Sequence, residues 1–251
     1  MDCIHHPVFD RASGPTRRHA LALAGSALVM PGLVAPAQAE LVIDLRGGSF
    51  KPMPIAVADF AGEGGALVSG IITNNLKRCG YFLPIEKARH PEKNPPFDSA
   101  PQFEAWKSAG IQALVTGRVS RDGSGRLKAE FRLWDVLTGE QIDGQQYFTD
   151  PNNSRRVGHI ISDAVFTKVT GVGGFFDTRV VFVDESGSKE SRRKRLAIMD
   201  QDGANVRYLT NGDVSVVTPR YSPVSQEVTY MSQRLGEQPR VHVLNIETGQ
   251  R

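Results

Sequence analysis

The sequence predicts an α+β protein: a mixed α/β domain on the N-terminal side, followed by the first blades of an incomplete β-propeller. Three observations predict it. Strand-like and helix-like periods alternate from Glu40 to about Gly171, the helical period disappears beyond Gly171, and a strand-rich unit then recurs at intervals of 45–48 residues. The expected organisation is an export signal over 1–39, the α/β domain over 40–171 and a partial propeller over 172–251.

The first segment has the three parts of a secretory signal. Arg17-Arg18 precedes an apolar run over 20–34, and Ala37-Gln38-Ala39 supplies small residues before Glu40. A spanning helix needs ~20 predominantly apolar residues, and this shorter run is interrupted by Gly25, Pro31 and Gly32, so cleavage after Ala39 is expected rather than a retained anchor. The arginine pair loosely resembles a twin-arginine signal, but His19-Ala20 fits the general secretory route better. The first mature residue, Glu40, is not the cysteine of a lipoprotein. The expected location is the periplasm.

Leu41 to Leu45 is a short strand candidate, closed by Gly47-Gly48, and 55–60 is a second, ended by Gly62-Glu63-Gly64-Gly65. Leu67, Ile71, Ile72, Leu76 and Cys79 follow at helical spacing, and Gly80 stops that helix. After a short extended piece over 82–85, a proline-rich polar loop over 90–101 leads to a short helix around Phe103, Trp106 and Ala109. Strands over 113–120, 127–135 and 141–148 are joined by Asp122-Gly123-Ser124-Gly125 and Leu137-Thr138-Gly139-Glu140, both hairpin-type turns. Asp150-Pro151 opens a longer helix carrying Val157, Ile160, Ile161, Ala164, Val165 and Val169, and Gly171 closes it.

Beyond that point strands are expected over 178–183, 196–199, 206–209, 227–231 and 240–244. Val180-Val181-Phe182-Val183 answers to Val228-Thr229-Tyr230-Met231 after 48 positions, and Arg195 to Met199 answers to Arg240 to Leu244 after 45. That is the spacing of propeller blades, which close only in sets of ~4–8. About one and a half repeats precede Arg251. Two expectations follow: either the chain is a fragment or truncated product with unpaired edges, prone to aggregate, or the repeat is a small β-sandwich.

Formal net charge is +3, and removal of 1–39 takes away three arginines and two aspartates and leaves +2. So small a charge gives no case for a nucleic-acid partner. Apolar residues at 40% and charged residues at 23% exclude a coiled coil or wholesale disorder. Cys79 is the one cysteine left after processing, so no disulfide framework is possible and a buried, inert thiol is expected. His90, His159 and His242 are scattered without metal-ligand spacing, and His159 is expected to be a satisfied structural residue. Gly62 to Gly65 lacks the Lys-Ser/Thr ending of a phosphate loop and reads as a plain turn. The basic run from Lys189 to Arg195 is read as a solvated loop, with an anionic-lipid contact as the alternative. Trp106 and Trp134 read as core. No catalytic residue, metal or cofactor is expected.

Several stretches, in order and spacing, resemble the TolB family of the Tol–Pal envelope system. They are Leu41-Val42-Ile43-Asp44-Leu45 with Gly47-Gly48, Pro54 to Phe60, and Leu76-Lys77-Arg78-Cys79-Gly80-Tyr81-Phe82. Ala105 to Gly117 is similar to the family's Trp-x-x-x-Gly-x-(Asp/Glu)-x-(Leu/Val)-Val-x-Gly pattern. Gly158-His159 with Ile161-Ser162-Asp163 resembles its Ala-His helix, and Thr218-Pro219-Arg220-Tyr221-Ser222-Pro223 its blade signature. Tyr221 stands where that signature has Trp, Val224-Ser225 replaces Asp-Gly, and the later blades are absent.

The resemblance implies a non-catalytic periplasmic interaction protein that links TolA of the inner membrane to Pal of the outer membrane, in envelope integrity and cell-division constriction. It places the TolA contact on Glu40, Leu41, Val42, Ile43, Asp44 and Leu45. Pal is met mainly by later blades, so its residues are not assigned and much of its site is expected to be missing. From the residues alone, the 40–45 segment could pair with a partner's sheet edge or form an edge strand of its own core. Two other functions compete with this one. A propeller-bearing fragment of an exported hydrolase would require a Ser-His-Asp set that the sequence lacks, and a stand-alone secreted binding module has no residue cluster arguing for it.

Overall fold

The computed structural model describes residues 51–189, 191–234 and 236–251; the export signal and the 40–45 segment lie outside the described residues. The first strand, β1 (Met53–Val57), alternates its side chains between two cores. Met53, Ile55 and Val57 face one, and Ala56 faces the other. The chain leaves β1 through the glycine-rich turn into α1 (Gly65–Arg78) and returns through β2 (Phe82–Pro84). α2 (Phe103–Ser108) then leads to an antiparallel meander of β3 (Ala113–Arg121), β4 (Leu127–Asp135) and β5 (Glu140–Thr149). The resulting sheet has the order β2-β1-β3-β4-β5, with β1 parallel to both neighbours.

α3 (Ser154–Thr170) follows a 3₁₀ turn begun by Asp150, whose side chain accepts from the Asn152 amide. α1 and α3 cover one face of the sheet, around Ile72, Leu76, Phe131 and Ile161. Trp106 of α2 fills the other, with Leu114 and Trp134. Where that second face becomes polar, the proline-rich loop lies over it. Phe97 packs between the Arg118 and Arg132 guanidinium groups, 4.5 and 4.7 Å from its ring centre, and Asp98 and Glu130 pair with Arg118.

Two details differ from the sequence reading. Leu67 is 48% exposed and Val68 takes the buried position, a shift of about 100° around the helix. Cys79 is half-buried rather than buried; burial pushes its thiol pKa up, and the sulfur donates to the Leu76 carbonyl.

The C-terminal part forms two separate three-stranded sheets. β6 (Arg179–Ser186), β7 (Arg193–Asp200) and β8 (Arg207–Tyr208) make the first. β9 (Ser215–Tyr221), β10 (Glu227–Gln233) and β11 (Arg240–Asn245) make the second, in the order β11-β10-β9. Leu196 and Ile198 of the first sheet pack against Val216, Val228, Tyr230 and Leu244 of the second. Among the described residues these sheets are open and form neither a closed propeller nor a barrel.

The repeat found in the sequence corresponds to the hairpins β6–β7 and β10–β11. The third strand lies beside the second strand of one hairpin and beside the first strand of the other, and β9 is a strand absent from the sequence reading. The basic run is also corrected in part. Arg193, Lys194 and Arg195 belong to β7, where Lys194 and Arg195 pair with Glu185 and Asp184 across the ladder; Arg192 reaches Glu185 from the loop.

Candidate functional site

The one partner-binding segment assigned from the sequence, Glu40 to Leu45, lies outside the described residues. The first described residues, Lys51 and Pro52, run directly into β1, which lies between β2 and β3. The glycine turn is structural. A Cβ on Gly62 would lie 1.9 Å from the Val119 carbonyl oxygen, so the glycine lets the turn rest on β3. His90 bonds the Ile85 carbonyl and meets Trp106 edge-on, while His242 bonds Ser232 and stacks on Tyr230.

The densest polar arrangement lies where the helix pair meets the turn after β7. Asn75 projects from the buried face of α1 and makes four hydrogen bonds. Its oxygen accepts from Arg78 Nη2 at 2.9 Å and Gln201 Nε2 at 3.1 Å; its nitrogen donates to His159 Nδ1 and Ser162 Oγ, both at 2.9 Å. Two independent facts fix that orientation. A guanidinium can only donate, so the amide oxygen must face Arg78. Ser162 donates its one hydroxyl hydrogen to the Gly158 carbonyl at 2.7 Å, so it accepts from the amide nitrogen.

His159 Nδ1 is therefore an acceptor, and the neutral ring carries its hydrogen on Nε2. The ring is 2% exposed, and Nε2 has no hydrogen-bond partner among the described residues. Burial holds its pKa below the ordinary histidine value, although Asp202 and Asp200 pull the other way. Arg155 contacts Asp202, and its Nε lies 3.7 Å from Asp200. Burial alone would raise the Asp202 pKa, but the Ala204 amide and Arg155 outweigh it and hold the carboxyl below its usual range.

His159, Asp200 and Asp202 bring one ligand atom each within 4.8 Å of one another, which raises the question of a metal ion. The donor set does not fit one. Ligation through Nε2 would need the hydrogen on Nδ1, directed at the Asn75 amide nitrogen, whereas a metal-bound histidine donates from its second nitrogen to an acceptor. Arg155 already supplies the cation for both carboxylates. What the arrangement can do is hold two segments together and respond to a proton.

The sequence reading of His159 as a satisfied structural residue holds for one ring nitrogen only. Asn75, Arg155, Gln201 and Asp202 carry no local sequence signal for the pairings in this cluster, because their partners across it are 47 to 126 positions away. The available signal was Asn75 itself, a polar residue one turn beyond Ile71 on an apolar helix face.

Comparison with known proteins gives two family matches. The model of the TolB amino-terminal domain matches residues 41–142, and that of the TolB beta propeller domain matches residues 166–251. Among solved structures, TolB from Acinetobacter baumannii superposes with a TM-score of 0.71 at 24% identity, over 80% of this chain and 48% of that one, a likeness of fold. This chain thus spans about half the length of that relative. The LpoB C-terminal domain from Salmonella enterica matches at a TM-score of 0.33 and 14% identity, over 41% of this chain and 86% of that one. Lipoprotein GNA1162 from Neisseria meningitidis matches at 0.32 and 18%, over 45% and 94%.

Proposed function

The chain belongs to the TolB family in both of its halves, and on that premise we propose that it is a non-catalytic periplasmic protein of the Tol–Pal type that works by binding other proteins. The observation that carries this reading is the order of parts: a TolB amino-terminal domain followed directly by propeller-type sheets. In this reading Glu40 to Leu45 capture TolA, the blades contribute to contact with Pal, and the complex serves envelope integrity and constriction at division. The export signal read over 1–39 agrees with a periplasmic site of action, and no described helix is long and apolar enough to cross a membrane.

Support for a non-catalytic role comes from the chemistry of the polar cluster. Its histidine accepts a hydrogen bond at one nitrogen, and its serine hydroxyl is spent on a main-chain carbonyl, so neither is arranged as a base–nucleophile pair. The decisive experiment removes residues 40–45 and measures binding to a TolA C-terminal domain by calorimetry. Affinity should fall by about tenfold or more, equivalent to ~1.4 kcal/mol, with Tm unchanged. Unaltered affinity rejects the segment as the TolA site, and a lowered Tm identifies it as an edge strand of the core.

A further inference from the structure

We propose that His159 is a proton-operated release for the junction between the α1–α3 helix pair and the first blade sheet, keeping the two together at neutral pH and letting them part in mild acid. The argument begins with geometry. The Asn75 amide is oriented by Arg78 and Gln201 on one side and Ser162 on the other, so it presents an N–H to His159 Nδ1. A second proton on the ring would set donor against donor at 2.9 Å, and the amide cannot turn over without forfeiting its other bonds.

Among the described residues no carboxylate lies within hydrogen-bond reach of the ring to take up the new charge. From α3 it faces Arg155, a like charge, and Asp163, whose carboxylate accepts from the Phe176 and Asp177 amides. From β7 and its turn come Asp200 and Asp202, which share the single charge of Arg155, and from the linker Asp177, paired with Arg156. Arg78 of α1 adds a further positive charge behind Asn75. Asp202 Oδ2 is 3.8 Å from Nε2, too far for a hydrogen bond.

The junction itself is held by polar contacts. Arg78 bonds Gln201, Gln201 bonds Asn75, and Arg155 pairs with Asp202, while the apolar cores of the α/β domain and of the blades are separate clusters. Parting exposes little apolar surface and returns His159 to water, where it titrates as an ordinary histidine. Each pH unit below ~6.5 then favours the parted form by up to about tenfold, until the closed form also takes up the proton.

The test uses the full chain. Long-range ¹H–¹⁵N spectra should find the His159 imidazole neutral at pH 7.5 with its hydrogen on Nε2, titrating below the ordinary histidine midpoint. Proteolytic nicking over 172–178 and 201–205, normalised to cleavage of an unstructured peptide, should accelerate by about fivefold between pH 6.5 and 5.5. His159→Asn offers an amide oxygen to Asn75 without titrating and should flatten that acceleration. Asn75→Asp, which turns the facing donor into an acceptor and lets the closed form take up the proton, should shrink or abolish the acceleration. Hydrogen on Nδ1 at neutral pH, a midpoint at or above the ordinary value, a flat nicking profile in the unaltered chain, or full acid acceleration in His159→Asn would each overturn the proposal. The spectra of the unaltered chain decide the matter even if the variants misfold.

Discussion

Gly158 sits where α3 crosses α1 and has no room for a side chain. A Cβ there would lie 2.8 Å from Ile71 Cγ2 and 2.9 Å from its Cβ. Two effects oppose each other in Gly158→Ala. Helix propensity favours alanine by ~1 kcal/mol, whereas overpacking a filled contact costs ~1–3 kcal/mol. The branched Ile71 side chain belongs to the buried face of α1 and has little freedom to retreat, so the cost should win. Gly158→Ala is expected to lower Tm by a few degrees. On an Ile71→Ala background the cost should be smaller, because Cγ2 is gone and only the Cβ at 2.9 Å remains. Equal effects on both backgrounds, measured as a double-mutant cycle by thermal denaturation, would rule out this contact as the reason for the glycine.

Elements were legible in proportion to how strongly their own residues carried the period. β4 alternates Leu127, Ala129, Phe131 and Leu133 toward the helices, and its sequence bounds match the structure. α3 is bracketed by Asp150-Pro151 and a left-handed Gly171, signals that act locally. β9 was hidden for an equally physical reason. It contains Pro219, which removes a ladder donor, and Thr218 at φ 51°, a conformation a β-branched residue rarely adopts. Its partner β10 shifts register between Thr229 and Met231 at the same place, so a bulge interrupts the alternation. Thr218→Gly should relieve ~1–3 kcal/mol of backbone strain and return ~1 kcal/mol through unfolded-chain entropy. Tm should therefore stay level or rise; a clear fall would mean the threonine side chain contributes more than its backbone costs. The polar junction could not be read at this scale at all, because its members come from α1, α3 and the turn after β7.

At the scale of the whole molecule, the same histidine chemistry sets how stability depends on pH. Burial lowers the pKa of both His159 and His90. A buried neutral histidine binds fewer protons folded than unfolded, so stability is complete above the unfolded value and declines as pH falls through it. The decline begins near pH 6.5 and ends where the folded histidines themselves titrate, with a limiting slope of about 2.7 kcal/mol per pH unit if both contribute a full proton. A second decline belongs to carboxyls held low by cationic partners, Asp59 by Lys87 and Glu130 by Arg118; it starts near the unfolded carboxyl values and deepens as pH falls through the folded ones. Asp163, raised by burial, works the opposite way, and its penalty vanishes on acidification. Urea unfolding at successive pH values should thus give two separated losses. His159→Asn should halve the slope of the upper one and leave the lower untouched, because His90 lies against Trp106 on the opposite face of the sheet and titrates independently. If His159→Asn removes the whole upper slope, His90 is not buried as described; if it removes none, the Asn75–His159 contact does not hold the ring neutral.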